Sequence, residues 1–183
     1  MEKMLIVVDP QMDFIEGGSL PVPGAQQAMN ALAQYLLENG HQYACKVVTC
    51  DWHPHDHSSF QAQGGGWPLH CVQHTVGAAV YPPIADALYA SDGPVEILTK
   101  GNEQGREEYS IFQNAASAKK IDELVKRFKI DYIEICGLAG DVCVLNTYDD
   151  ACRIYGKQHV GVLQEFSPSL DGGAKLSSKL QEK

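Results

Sequence analysis

The sequence predicts an α/β protein of three layers, α/β/α, in which helices cover both faces of a central, mainly parallel β-sheet. Along the 183 residues, apolar runs typical of buried strands alternate with amphipathic stretches typical of helices, and no internal repeat interrupts them. This alternation favours a parallel sheet, because each parallel connection needs a crossover that is usually a helix. The length favours a single domain, which we expect to span residues 1–183.

Five short apolar runs predict the strands. Continuous runs of this kind are typical of strands that are buried on both faces of a sheet. The first run, residues 4–8, ends at Asp9, and the second, residues 44–50, ends at Asp51. The other three strands are predicted at residues 95–100, 132–136 and 159–163.

Helical periodicity appears between these strands. Apolar residues recur at four-residue spacing over residues 28–37, and Gly40 provides a C-terminal stop. Apolar stripes at helical spacing cover residues 121–128 and 144–155. Two shorter helices are predicted at residues 83–90 and 174–181.

Polar residues or a glycine-rich turn follow four of the predicted strands. Asp9, Asp51 and Lys100 each end a different strand, and the turn at residues 137–143 follows the fourth. The carboxyl ends of parallel strands lie at one edge of a sheet, where ligands of α/β proteins bind. The sequence therefore predicts that these four points converge on one site.

Composition excludes several classes of function. Lys and Arg number 14 against 23 Asp and Glu, a net charge of -9, which argues against a nucleic-acid binder because such proteins neutralise phosphates with clustered cations. The apolar run at residues 4–8 is too short for a signal sequence or a membrane span. We therefore expect a soluble, cytoplasmic protein without a nucleic-acid or membrane partner.

Histidines cluster after the second strand, where five of the seven lie between residues 53 and 74. Asp51 and His53, with His70 from the following loop, supply oxygen and nitrogen ligands for one divalent ion and leave positions open, as in catalytic sites. Zn²⁺, Fe²⁺ and Mn²⁺ all fit this donor set. His57 could be a further ligand, but it is expected rather to contact and orient the other ligands. The alternative is a surface loop that is rich in histidine by chance.

Cys143 lies where the fourth strand gives way to a helix. A helix N-terminus and a nearby Lys100 favour negative charge, so the thiol is expected to be partly ionised at neutral pH. With Asp9 as proton acceptor, the three side chains satisfy the logic of nucleophile, base and orienting group. Backbone N–H groups of such a turn can stabilise an oxyanion. Taken alone, a cysteine at a helix start more often packs into the core.

Aromatic side chains flank these points. Phe14 and Trp67 lie in loops beside the predicted catalytic and metal residues, and Tyr109 follows the Lys100 loop. Flat rings can sandwich a flat substrate, so we expect these three residues to line the substrate site.

Five motifs follow one another along nearly the whole chain. They are Asp9-Pro-Gln-Met-Asp13-Phe14, Asp51-Trp-His-Pro, Trp67-Pro-Leu-His70, Thr99-Lys100-Gly with Tyr109-Ser-Ile-Phe, and Gly137-Leu-Ala-Gly-Asp-Val-Cys143-Val. In this order they resemble the nicotinamidase/pyrazinamidase family of isochorismatase-like cysteine hydrolases. The resemblance implies the isochorismatase-like hydrolase fold and the conversion of nicotinamide to nicotinate and ammonia in NAD salvage, with pyrazinamide as a further substrate.

The resemblance also implies residue roles. Cys143 would form a thioester with the substrate, Asp9 would take the thiol proton and later protonate ammonia, and Lys100 would hold the thiolate and orient Asp9. The N–H groups of Ala139 and Cys143 would form the oxyanion hole, beside a cis peptide bond between Leu138 and Ala139.

The resemblance further implies one divalent ion, with zinc expected before iron or manganese, on Asp51, His53 and His70. It implies a small-molecule substrate and allows a homo-oligomer.

Three other functions stay open from the sequence. A sister amidase for carbamoyl or ureido compounds would share the Asp–Lys–Cys set, but those relatives generally lack the metal segment. Isochorismate hydrolases lack the nucleophilic cysteine. A catalytically silent metal- or ligand-binding domain is the third, and the intact set of Asp9, Lys100 and Cys143 argues against it.

Overall fold

The computed structural model describes residues 1–182, and a parallel sheet of five strands forms its centre. The strands are β1 (Lys3–Val8), β2 (Tyr43–Asp51), β3 (Val95–Lys100), β4 (Tyr132–Gly137) and β5 (Val160–Val162). Their order is β3-β2-β1-β4-β5, and every neighbouring pair is parallel. The chain therefore runs from β1 outward through β2 to β3, and then crosses to the other side of β1 to form β4 and β5. This reversal creates a switch point between β1 and β4.

Within residues 1–182, five α-helices accompany the sheet. They are α1 (Ala25–Asn39), α2 (Pro82–Ala90), α3 (Ala115–Phe128), α4 (Leu145–Tyr155) and α5 (Ala174–Gln181). One buried cluster packs α1 and α2 against the sheet, and a second packs α3, α4 and α5 against it. The predicted three-layer α/β/α class is confirmed. No helix in this part of the chain has the length and apolarity needed to cross a bilayer.

The position of β1 at the centre of the sheet explains why its sequence is continuously apolar. Leu5 and Val7 belong to the cluster under α1 and α2, whereas Met4, Ile6 and Val8 belong to the cluster under α3 and α4. All five side chains are fully buried. Each contributes about 1.5–3 kcal/mol by leaving water, so both faces of β1 anchor the fold.

The last strand is shorter than its sequence pattern predicts. Residues 159–163 were expected to be extended, but β5 covers Val160–Val162. His159 ends a 3₁₀ turn, and Leu163 leads into another over Gln164–Phe166. Because β5 is an edge strand that pairs with β4 alone, these turns limit its length.

Gly137 is the last residue of β4, and it lies so close to β1 that a side chain at this position has no room. Its φ is +121°, and a Cβ there would lie 2.1 Å from the Val8 carbonyl oxygen. We expect Gly137→Ala to lower the free energy of unfolding by about 3 kcal/mol, from left-handed strain and overpacking together. Urea denaturation measures the change. Gly105→Ala is the control, because its Cβ would meet nothing within 4 Å; equal losses in the two variants would contradict the argument.

Candidate active site

Lys100 is the centre of a fully buried charged cluster at the carboxyl edge of the sheet. Its Nζ lies 2.8 Å from Asp9 Oδ2, donates to Asp51 Oδ1, and lies 3.4 Å from Cys143 Sγ. Asp9 and Lys100 are completely inaccessible to solvent. The structure therefore brings together the three side chains that the sequence predicted as a catalytic set, and adds a direct contact between Lys100 and Asp51.

The strand ends fix the direction of these groups. Asp9 follows β1 with a left-handed φ of 46°, and its N–H donates to the carbonyl oxygen of Thr49 at 3.0 Å. The Thr49 hydroxyl donates to Asp9 Oδ1 at 2.6 Å, which leaves Oδ2 facing Lys100. Thr49 was not predicted, because its position inside a strand gives no sign that its hydroxyl meets a carboxylate 40 residues earlier.

Burial controls the protonation of the cluster. Burial raises the pKa of Asp9 although Lys100 opposes it, and burial raises the pKa of the Cys143 thiol well above its ordinary value although Lys100 opposes that too. For Lys100, burial favours a lower pKa, but Asp51 and Asp9 outweigh it and hold the pKa well above the usual range. The expectation of a partly ionised thiol is therefore not supported, since a buried thiolate beside two carboxylates is disfavoured. A reaction at this thiol would therefore need a base to accept its proton.

The turn after β4 carries Cys143 into the site. Gly140–Val144 forms a single π-helical turn that runs into α4, and such turns are frequent at functional sites. The Leu138–Ala139 peptide bond is cis. Within residues 1–182, the Ala139 N–H has no protein acceptor, whereas the Ala139 carbonyl accepts from the N–H groups of Val142 and Val144 at 3.1 Å each. An unpaired N–H beside a nucleophile is suited to an oxyanion.

Two buried histidines present the same ring nitrogen to Asp51. His53 Nδ1 donates to the Gly101 carbonyl at 3.0 Å and His70 Nδ1 donates to the Pro68 carbonyl at 2.7 Å, so that Nε2 is the free ring nitrogen of each imidazole in its neutral form. The Nε2 atoms lie 3.7 Å and 3.9 Å from Asp51 Oδ2. Among the described residues, His53 Nε2 is buried without a hydrogen-bond partner. Carbonyl groups that fix the tautomer in this way are typical behind metal-bound imidazoles.

The donor set fits a divalent ion. Bonds of 2.0–2.2 Å to one ion place neighbouring donors about 3–4 Å apart, close to the separations seen here. Burial lowers the pKa of His70, which favours the neutral form that binds metals. Burial also favours a lower pKa for His53, but Asp51 outweighs it and raises the pKa of this imidazole, so a metal ion has to displace a proton there. For Asp51, burial opposes ionisation, but Lys100 and His53 hold the pKa of the carboxyl below its usual value. One ligand atom from each of the predicted ligands Asp51, His53 and His70 thus lies within 4.8 Å of the other two, close enough to share one ion.

Gln11 holds the backbone of Asp51, a role that was not predicted from the sequence. Its Oε1 accepts the Asp51 N–H at 2.8 Å, and its Nε2 donates to the Asp51 carbonyl at 2.8 Å. Gln11 is fully buried and fixes the carboxylate between Lys100 and the histidines. Its place in the Asp9-Pro-Gln motif was the sequence feature that could have indicated this role.

His57 lies against His53, and both of its ring nitrogens have hydrogen-bond partners in the protein. Its Nδ1 accepts from the Ser59 hydroxyl at 2.7 Å, and its Nε2 donates to the Arg106 carbonyl at 3.0 Å. The ring packs on His53 with centroids 4.2 Å apart. With both nitrogens engaged, His57 is placed to support His53.

A mainly apolar cavity opens to solvent beside Cys143. The lining residues are Phe14, Leu20, Val22, Asp51, Trp67, His70, Glu107, Tyr109, Ala139, Val142, Cys143 and Leu170. Trp67 Nε1 donates to the Tyr109 hydroxyl at 3.0 Å, which joins two of the three predicted aromatic residues. Sequence reasoning missed Glu107 and Leu170, because loop residues without periodicity give no sign of the direction in which they point.

A thiol, a carboxylate and an ammonium group at the switch point of a parallel sheet define the class of α/β cysteine hydrolases. Comparison with known proteins is more specific. The isochorismatase domain model matches residues 3–154, and the chain belongs to the isochorismatase family.

Individual relatives extend over most of the chain. The nicotinamidase/pyrazinamidase of Mycobacterium tuberculosis is 34% identical over 155 residues, which cover 82% of this chain and 79% of the relative. The pyrazinamidase of Pyrococcus horikoshii, solved in complex with zinc, is 31% identical, covers 99% of this chain and 95% of its own, and superposes with a TM-score of 0.83. Yeast nicotinamidase bound to the inhibitor nicotinaldehyde is 27% identical, with 98% and 95% coverage and a TM-score of 0.85.

Proposed function

We propose that this chain is a nicotinamidase, a cysteine hydrolase that converts nicotinamide to nicotinate and ammonia. The observation that carries the proposal is the contact of Lys100 with both Asp9 and Cys143, at the base of a cavity lined by aromatic side chains. The nicotinamidases and pyrazinamidases among the relatives support this choice of substrate. In this proposal a flat heteroaromatic amide lies beside Phe14, Trp67 and Tyr109, which line the cavity, with its carbonyl carbon towards the thiol.

Acylation begins with proton transfer. Asp9 accepts the proton of the Cys143 thiol as sulfur attacks the amide carbon, and Lys100 compensates the negative charge on sulfur. The carbonyl oxygen becomes an oxyanion that accepts from the N–H groups of Ala139 and Cys143. Asp9 then gives its proton to the amide nitrogen, the C–N bond breaks, and ammonia leaves a thioester on Cys143.

Deacylation uses the same groups with water as the nucleophile. Asp9 takes a proton from water as the water oxygen attacks the thioester carbon. The oxyanion forms again at the N–H groups of Ala139 and Cys143, and its collapse breaks the C–S bond. The proton held by Asp9 returns to sulfur, and the acid product leaves as nicotinate.

We propose that Asp51, His53 and His70 hold one zinc ion. A set of two imidazoles and one carboxylate suits Zn²⁺, and the zinc complex of the Pyrococcus horikoshii pyrazinamidase supports the assignment. When bound, such an ion would supply a Lewis acid for the ring nitrogen of the substrate. Phe14 and Trp67 then restrict the ring to one plane, which directs its amide towards Cys143.

Pyrazinamide is a proposed second substrate, because it presents the same carboxamide on a flat ring of the same size. We also propose that residues 1–183 act as one domain and that the reaction serves NAD salvage. A cytoplasmic location and a homo-oligomer stay predictions.

Ammonia release tests the function directly. Purified protein is expected to release ammonia from nicotinamide, to lose this activity on chelation, and to regain it when zinc is added. An N-carbamoyl amino acid serves as the parallel substrate. Release from the carbamoyl compound alone would overturn the substrate assignment, and release from neither with metal present would favour a silent binding domain.

A further inference from the structure

Glu107 lies at the mouth of the catalytic cavity. Together with Trp67 and Tyr109 it lines both the inner cavity beside Cys143 and an outer, more open pocket that also contains Ser58. A ligand that moves between the thiol and solvent along this side passes the Glu107 carboxylate. Its charge is therefore placed where ligands enter and leave.

The charge of Glu107 is not neutralised by a neighbouring cation. Within residues 1–182, no lysine or arginine forms an ion pair with it, and its Oε1 accepts only the N–H of Glu108, at 3.0 Å. Arg106 is held elsewhere, because its Nε lies 3.3 Å from Glu108 Oε1 and its Nη2 donates to the Gln113 carbonyl at 2.6 Å. Lys100 is occupied by the two buried carboxylates.

Glu107 also lies near the metal-binding side of the site. A carboxylate oxygen of Glu107 and ring nitrogens of His53 and His57 all lie within 4.8 Å of one another. The carboxylate therefore lies close enough to the metal-binding side for its field to act on a ligand in the mainly apolar cavity that Glu107 and Cys143 both line.

A count of formal charges indicates how Glu107 changes the net charge of the site. Lys100 is positive, and Asp9, Asp51 and Glu107 are negative. With one divalent ion the set is neutral, whereas the same set without Glu107 has one net positive charge. A positive site would retain a carboxylate, and a neutral site has no such preference.

We propose that Glu107 is a specificity-determining residue that selects neutral amides and disfavours ligands with a carboxylate, including the reaction product. The inference rests on the proposed function, since nicotinamide is neutral and nicotinate is an anion. The carboxylate at the mouth repels the anion that hydrolysis creates, and this repulsion promotes product release. Like-charge contacts of this kind are a common device of specificity.

Binding of nicotinate and nicotinamide to zinc-loaded protein tests the proposal. Isothermal titration calorimetry measures nicotinate on variants with an intact Cys143, and nicotinamide on the same variants in a Cys143→Ala background, which prevents turnover. Glu107→Gln is expected to bind nicotinate about tenfold more tightly and to change nicotinamide affinity less than twofold. Glu107→Asp keeps the charge and should behave as the wild type. Glu103→Gln removes a charge from the exposed part of the same loop and should change neither affinity.

Several results would overturn the proposal. These are an unchanged nicotinate affinity in Glu107→Gln, an equal change in both affinities, or the same effect in Glu103→Gln. Loss of zinc from Glu107→Gln in elemental analysis would identify Glu107 as a metal ligand instead. If the zinc-loaded wild type binds neither compound and releases no ammonia, the proposed function fails as well, whereas active protein with unchanged nicotinate affinity rejects the role of Glu107 alone.

Discussion

Replacing Cys143 with alanine is expected to reduce ammonia release from nicotinamide to background, a loss on the order of 10⁴-fold or more. The loss should be this large because no other described thiol reaches the cavity, and Asp9 and Lys100 have no nucleophile to activate without sulfur. Zinc should stay bound, since Cys143 is not among the proposed ligands. Ammonia assays at saturating nicotinamide, with elemental analysis of the same preparation, measure both quantities.

Cys152→Ala is the matched control. Cys152 lies on α4, nine residues after Cys143, is partly exposed and lines no part of the cavity, so this variant should keep wild-type turnover. Mass spectrometry of acid-quenched wild-type enzyme should detect the nicotinoyl thioester, and Cys143→Ala should show none. Turnover of Cys143→Ala clearly above background, with intact zinc, would reject covalent catalysis.

The fold, and the edge of the sheet at which the site lies, could be predicted from local sequence patterns. Strands buried on both faces need continuous apolar runs, and the carboxyl ends of parallel strands meet at one edge, so Asp9, Asp51 and Lys100 could be placed together without coordinates. The length of β5 could not be predicted, because turns on either side of an edge strand decide it.

The contacts that orient the site depend on residues distant in sequence. Thr49 and Gln11 act on groups 40 residues away, and no local pattern reports such a contact. Glu107 sits in a charged loop whose direction the sequence leaves undetermined. The side chains that meet at the site could therefore be named from the sequence, whereas the residues that orient them could not.

The ionisation of Cys143 shows the same limit. A helix start and a nearby lysine favour a thiolate, and both are present in the structure. Burial and two carboxylates oppose it, and they raise the pKa of the thiol. Sequence identifies the charged neighbours of a group, but the cost of removing that group from water depends on packing.

Replacing His70 with alanine is expected to weaken zinc binding by roughly 100-fold or more, because it removes one of three protein ligands. Activity should fall with the zinc content. In wild-type protein, zinc at about 100 times its dissociation constant should stabilise the fold by about 2.7 kcal/mol, which raises the melting temperature by roughly 5–10 °C. His70→Ala should show little of this shift, so metal binding can be followed without an activity assay.

His55→Ala is the control for this loop, since His55 is exposed and outside the proposed ligand set. It should keep the zinc content, the melting shift and the ammonia release of the wild type. If His70→Ala retains stoichiometric zinc after dialysis against a weak chelator, the ligand set is wrong. If it loses zinc but keeps full turnover, the ion stabilises the loop and the chemistry belongs to Asp9, Lys100 and Cys143 alone. Loss of both zinc and turnover, with a folded protein, is the result that joins the metal to catalysis.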